Sequence, residues 1–283
     1  MRTLIVTGAN EAYMPLLRGL VLSLQQWQPQ PYTALACFDL GLAAESRDWV
    51  GRYARHIVEP GWDVPVHEEL RRAEPHLRAL TVRPFLRDYF PGYDVYLWLD
   101  ADTWVQEPFA LGWLFDAARS GALAAAPEAD RAYRDQASTA QWRHDWMLRA
   151  FGPEAGNRAL WDRYVNAGVY ALRADAPHWQ PWGDCLRQSL ADTDGRVCTE
   201  QTALNYMLWR DGLPLVPMPP LCNWLCHLAM PSFREADGRF CEPYVPWQPI
   251  GIIHMTHTAK DLVVEPAAGA ARRPPNLRFP GAN

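Results

Sequence analysis

Lysine is almost missing from this chain: its 27 basic residues are 26 arginines and a single lysine, Lys260. A chain so biased towards arginine keeps a lysine where a compact ammonium does what a planar guanidinium cannot, so Lys260 is a functional candidate. Also missing is any apolar run of about 18 residues, which excludes a membrane-spanning helix. The opening Met1-Arg-Thr-Leu-Ile-Val-Thr7 lacks the apolar region of a signal peptide, and a cytoplasmic location is expected. There is no basic excess: a net charge of −5 argues against nucleic acid as a partner. The six cysteines (37, 185, 198, 222, 226 and 241) form no paired framework, and reduced, buried thiols are expected. Cys222 and Cys226-His227 lack the second ligand pair of a zinc site.

What is present is an ordinary globular mix, 49% apolar and 21% charged over 283 residues, enough for one large α/β domain or two small ones. Fourteen tryptophans, many of them between 142 and 247, suit stacking on sugar rings as well as filling a core. Strand patterns fall at Thr3–Thr7, Tyr32–Phe38, His56–Val58 and Asp94–Leu99, separated by helical spacing from Leu17 to an end near Pro29, from Ala43 to Arg55 and from Leu77 to Phe90. This alternation predicts a doubly wound, mainly parallel sheet. The second half is less regular. It offers a strand at Ala122–Ala126, a polar Arg- and Trp-rich helical insertion over 128–163, and a strand at Val165–Leu172 interrupted by Gly168. Helices at Pro177–Leu190 and Glu200–Trp209 and a last buried strand at Gly251–His254 follow. A single α/β domain over 1–265 is expected, with a nucleotide-binding half (1–105), an acceptor-side half (106–265) and a poorly packed tail (266–283).

One stretch carries the chemistry: Asp94-Val-Tyr-Leu-Trp-Leu-Asp100-Ala101-Asp102-Thr103. An apolar strand, buried on both faces, ends in two carboxylates one residue apart, which alternation puts on the same side of the chain. Ligands of open α/β sheets bind at that carboxyl edge. Two hard oxygen donors there suit Mg²⁺ or Mn²⁺, which in turn holds a diphosphate.

These residues and their order resemble the retaining glycosyltransferases of family eight, enzymes of the GT-A fold that include glycogenin and bacterial lipooligosaccharide α-galactosyltransferases. The first strand and its turn read Thr7-Gly-Ala-Asn10-Glu-Ala-Tyr13, and Asp100-Ala101-Asp102 fits the acidic turn. Arg83 stands seventeen positions before Asp100, where the family has a basic residue facing phosphate and sugar. Asn166-Ala167-Gly168 matches the Asn-Ala-Gly strand, and Glu200-Gln201 the acidic-Gln helix start. His254-x-x-His257-x-x-Lys260 matches a closing motif in which a metal-binding His is followed by Gly and then by a diphosphate-binding Lys, so the lone lysine falls on the phosphate position. The match spans roughly 3–262. It departs at His257, which replaces Gly, at Asn10 and Glu200, where Asp is common, and at Asp261-Leu262, where Pro-Trp is usual. The chain looks like a distant member.

The resemblance implies transfer of a hexose from a nucleotide diphosphate sugar, UDP-sugar first, to a glycan or glycolipid hydroxyl with retention, in polysaccharide biosynthesis and with room for peripheral membrane contact. It implies a metal, Mn²⁺ first and Mg²⁺ second, on Asp100, Asp102 and His254. Donor contacts would come from Thr7, Asn10, Tyr13, Arg83, Ala101, Asn166, Ala167, Gly168, His257 and Lys260. Gln201 would support the anomeric centre electrostatically, and Glu200 would bond sugar hydroxyls or position Arg83. Each residue also has a plainer reading: Tyr13 and His254 as core, Gly168 as a kink, Glu200-Gln201 as a helix start after a Thr199 cap. Asp100-x-Asp102 also resembles a haloacid-dehalogenase phosphatase signature, but it lies far from the N-terminus and lacks the later acidic motif. A sugar nucleotidyltransferase would open on a basic Gly-rich loop, which Gly8-Ala-Asn10-Glu11 is not. A non-catalytic sugar or nucleotide binding module stays open.

Overall fold

The computed structural model describes residues 1–27, 33–134, 137–196, 200–261 and 276–280. The expected helix end at Pro29, the strand start at Tyr32, Cys198, the Thr199 cap, Leu262 and most of the tail lie outside them.

The central sheet contains β1 (Thr3–Ala9), β2 (Thr33–Asp39), β3 (His56–Val58) and β4 (Val95–Leu99). A short strand β5 (Thr103–Val105) follows outside this sheet, and β6 (Leu123–Pro127), β7 (Val165–Arg173) and β8 (Leu215–Pro217) complete it. The spatial order is β3-β2-β1-β4-β7-β6-β8. All strands run the same way except β7, which is antiparallel to both β4 and β6. The sheet therefore draws strands from both halves of the sequence.

Side chains alternate between two buried layers, as a doubly wound sheet requires. Ile5, Leu35 and Leu97 face the layer where helix Met14–Trp27 brings Leu17, Leu20, Val21 and Leu24 and helix Phe109–Arg119 brings Ala110, Leu111 and Leu114. Leu4, Val6, Phe38 and Trp98 face the opposite layer, covered by helix Trp179–Asp192 through Trp182, Leu186 and Leu190 and by helix Glu200–Asp211 through Ala203, Leu204 and Met207. The insertion over 128–163 is helical, as its composition suggested, with helices at Ala137–Phe151 and Pro153–Arg158.

Four features differ from expectation. The helix expected over 77–90 is broken into short turns, because Pro84 supplies no N–H and disfavours helical geometry at Arg83. Helix Arg78–Thr81, a 3₁₀ turn Arg83–Phe85 and helix Leu86–Tyr89 replace it, and the Tyr170 hydroxyl takes the Arg83 carbonyl at 3.1 Å. β7 is not interrupted at Gly168 but runs through it. The last strand, β12 (Ile252–His254), is buried but sits in a second small sheet, between β5 and β9 (Trp224–Leu225), above a hairpin of β10 (Ser232–Arg234) and β11 (Arg239–Cys241). Gln106 staples this region: its amide donates to the Phe240 and Ile250 carbonyls at 2.8 Å and accepts from Phe240 N at 2.7 Å.

The fourth difference is in the tail. Residues 276–280 are packed: Leu277 is fully buried, its carbonyl accepts from Trp104 Nε1 at 2.8 Å, and Phe279 meets the Trp104 ring edge-on at 5.5 Å. Leu277→Ala is expected to cost about 2–4 kcal/mol in equilibrium denaturation, the loss of a buried leucine. An unchanged unfolding midpoint would contradict this packing.

Candidate active site

Two strand directions assemble the site. Antiparallel β7 delivers its first residues to the carboxyl edge where β4 and β6 end, with Val169 opposite Leu99 and Val165 opposite Pro127. Asn166-Ala167-Gly168 thus lies beside Asp100, whose N–H donates to the Gly168 carbonyl at 2.8 Å. In the second sheet β12 pairs antiparallel with β5 so that His254 faces Thr103, one residue beyond Asp102. Residues 150 positions apart meet through this register.

Asp100, Asp102 and His254 present ligand atoms that all lie within 4.8 Å of one another. His254 Nε2 is 3.3 Å from Asp102 Oδ1 and 3.8 Å from Asp100 Oδ2. The other ring nitrogen, Nδ1, is 2.8 Å from the side-chain oxygen of Asn223, which can only accept, so Nδ1 carries a proton and Nε2 is the nitrogen turned to the two carboxylates. Three candidate ligand atoms therefore converge at one point. Two carboxylates and an imidazole suit Mn²⁺ or Mg²⁺. Gly168 leaves the room: a Cβ there would stand 2.6 Å from Asp100 Oδ2 and would also strike the His254 ring. The glycine marks a close approach, as its sequence position suggested, but to the site and not to a strand break.

Arg83, 4% exposed, divides its guanidinium between Asp100 Oδ1 and Glu200 Oε1 and lies over the Trp98 ring at 4.9 Å. Trp98 Nε1 donates to the same Asp100 oxygen at 2.7 Å. Burial works against the charge on Arg83, but Asp100 and Glu200 outweigh it and raise its pKa. Burial pushes Asp100 up against the opposing pull of Arg83 and His254. Burial acts the same way on Asp102, but there His254 and Lys260 prevail and the carboxyl is lowered. Glu200 is raised by burial, with Arg83 opposing.

A cavity of about 150 Å³ at this edge is lined by Asn10, Tyr13, Arg83, Asp100, Ala101 and Asp102, together with His76 and Leu80. Lys260 Nζ lies 4.6 Å above the Tyr13 ring, donates to the Tyr13 hydroxyl at 2.9 Å and stands 4.0 Å from Asp102. Asn10 caps the turn that carries Tyr13, accepting from Tyr13 N at 3.2 Å. Thr7 is not in this wall. It is fully buried within β1, and its hydroxyl finds no partner among the described residues. His257 is exposed and adopts φ 53°, the left-handed region glycine favours, which accounts for the glycine of the resembled motif. Its ring meets that of His227 edge-on at 4.6 Å.

Asn166 and Gln201 are both engaged with protein partners. Asn166 Oδ1 accepts from Gly168 N at 2.9 Å and Asn223 Nδ2 at 3.0 Å; its Nδ2 donates to Glu128 Oε1 at 3.0 Å and Gln201 Oε1 at 3.2 Å. All four bonding positions of its amide are used. Gln201 Oε1 also accepts from Ala167 N at 2.9 Å, and its Nε2 donates to Glu128 Oε1 at 3.0 Å, so the carbonyl has no free lone pair for the donor. Both amides act in this arrangement as braces. The chain Glu128–Asn166–Asn223–His254 ends on the metal-facing imidazole.

Glu128 and Asn223 escaped the sequence reading. Glu128 had a signal, an acid directly after the apolar strand β6, the same pattern as Asp100 after β4. Asn223 had none, sitting in an irregular turn fixed only by the second sheet.

No protein-family model matches the sequence, and a comparison with curated proteins finds no match. Solved structures do match in fold. The galactosyltransferase LgtC, in complex with donor and acceptor sugar analogues, aligns over 90% of this chain and 88% of its own with TM-score 0.54 and 17% identity. An active-site mutant of LgtC aligns over 90% and 87% with TM-score 0.53 and 17% identity. The bifunctional glycosyltransferase WbbM aligns over 77% of this chain and 39% of its own with TM-score 0.53 and 12% identity.

Removing the Asn223 acceptor by Asn223→Ala frees the His254 ring and is expected to weaken Mn²⁺ binding about 10–100-fold, read by electron paramagnetic resonance of free Mn²⁺. Unchanged affinity would show that Asn223 does not orient the ligand. The chain has the GT-A fold that it shares with these glycosyltransferases.

Proposed function

We propose that this protein is a metal-dependent retaining glycosyltransferase that moves a hexose from a nucleotide diphosphate sugar, UDP-sugar first, to the hydroxyl of a glycan or glycolipid. The convergence of Asp100, Asp102 and His254 at the mouth of a cavity that also presents Asn10, Tyr13 and Arg83 carries this reading. When bound, Mn²⁺ or Mg²⁺ supplies Lewis-acid charge for the departing diphosphate.

The reaction breaks the anomeric C–O bond to phosphate and forms one to the acceptor oxygen, and the acceptor's proton ends on the leaving diphosphate. Negative charge therefore grows on the phosphate side. Lys260 is the mobile cation for that charge: on donor binding it exchanges its contact with the Tyr13 hydroxyl for a phosphate oxygen, and the Tyr13 ring is freed to stack on the base. Arg83 is held rigidly by Asp100 and Glu200, so it contributes a fixed field and keeps Asp100 turned to the site. His257 adds a ring N–H at the phosphate edge. Glu200 positions Arg83. Gln201, with its carbonyl engaged, holds the Ala167 backbone and Glu128 beside the donor sugar. LgtC, bound to donor and acceptor sugar analogues, shares the fold, which supports the reading.

Incubated with Mn²⁺ and a panel of nucleotide sugars, the protein should slowly release nucleoside diphosphate from one donor. Asp102→Asn should lower that rate at least about 100-fold, on the scale of a lost electrostatic stabiliser. Release of inorganic phosphate from phosphomonoesters, or binding of nucleotide sugars without turnover with any acceptor, would contradict the proposal.

A further inference from the structure

A cavity of about 470 Å³, three times the volume of the nucleotide cavity, opens on the other side of Glu128. Pro127, Glu128 and Tyr164 line it where β6 ends and β7 begins, and the insertion closes it with Arg143 from its first helix and Trp161 from the turn after its second. It communicates with the site through Glu128, whose Oε1 holds both the Gln201 and Asn166 amides at 3.0 Å. Residues on this wall have no structural partner that explains them. The Trp161 indole is 87% exposed and forms no ring pair among the described residues. Arg134 and Arg163 are exposed arginines of the lining, and neither side chain has an ion pair or hydrogen bond among the described residues.

The acids of the same wall are already engaged. Glu128 is bonded by two amides and lies 3.9 Å from Arg143. Asp162 accepts from Arg158 at 2.7 Å. Asp130 accepts from the Tyr244 hydroxyl at 2.9 Å, and Arg131 lies 3.5 Å over that ring. Arg134 and Arg163, without ion pairs among the described residues, thus stand against the one charge of Asp130, beside one exposed aromatic plate.

We propose that this cavity seats the acceptor and that the acceptor saccharide carries an acidic group, a carboxylate or a phosphate. This rests on the transferase reading above and specifies its acceptor. The Trp161 ring takes the apolar face of a sugar, as exposed indoles do at saccharide sites. Arg134 and Arg163 take the acid through charge-assisted bonds. The hydroxyl to be glycosylated then lies towards Glu128 and the donor.

The test is calorimetric titration of the full chain, with Mn²⁺ and UDP present, using three disaccharides of one size: cellobiouronic acid, cellobiose 6′-phosphate and cellobiose. The expected result is at least about tenfold tighter binding of one or both acidic probes than of cellobiose, as charge-assisted bonds to guanidinium provide. The better acidic probe identifies carboxylate or phosphate as the source. The preference should vanish in Arg134→Gln/Arg163→Gln, whose exposed positions leave the melting temperature unchanged. Trp161→Ala should weaken all three probes together. Equal affinity for the neutral and acidic probes overturns the proposal, as does binding of none of them. Slow donor hydrolysis by the unaltered protein, followed separately, reports on the transferase reading: probes that bind a protein inert to every donor would contradict that reading and leave an acidic-saccharide site.

Discussion

Two carboxylates and an imidazole nitrogen are crowded within 4.8 Å of one another, and much of the surrounding structure holds that arrangement in place. Arg83 is buried, at the expense of desolvating a guanidinium, so that it can hold Asp100 from behind. Glu200 holds Arg83 in turn. Asn223 fixes the proton of His254 on the far nitrogen, which leaves the near one facing the acids. Gly168 is there because any side chain would occupy the space where the three meet.

The same constraint explains the topology at the site. A wholly parallel sheet would bring only strand ends to the carboxyl edge. Reversing β7 brings a strand beginning there as well, and with it Asn166 and Gly168 beside Asp100. The second small sheet performs the equivalent task for His254, through its pairing with the β5 strand that follows Asp102. A network of amides, Asn166, Gln201 and Asn223, joins the two systems through Glu128, so the metal side and the cavity side of the site share one hydrogen-bonded frame.

The strands of the nucleotide half were legible because each is a short apolar run between helical patterns; β3 falls on the predicted residues, and β4 starts one residue late. Asp100 and Asp102 were legible for the same reason, as polarity ending abruptly a buried strand. Lys260 was singled out twice, by its rarity and by its place six residues after His254. What failed was anything decided by pairing across the chain. The direction of β7 cannot be read from Val165–Arg173, whose residues suit either direction. The broken helix around Arg83 was signalled by Pro84 and passed over. Asn166 and Gln201 both bond Glu128, whose distance in sequence gave no hint of that contact. The tail looked unpacked because its composition is Ala, Pro, Gly and Arg, yet Leu277 and Phe279 suffice to anchor its end on Trp104.

The central claim is that the three converging ligands bind a divalent cation that serves a nucleoside diphosphate. It is tested most directly by titrating Mn²⁺, through water-proton relaxation, with and without saturating UDP. Reciprocal coupling requires UDP to tighten Mn²⁺ and Mn²⁺ to tighten UDP by the same factor. The account predicts at least about a tenfold mutual gain, absent in His254→Ala. Mn²⁺ and UDP binding that ignore one another, or a gain that survives loss of His254, would contradict it.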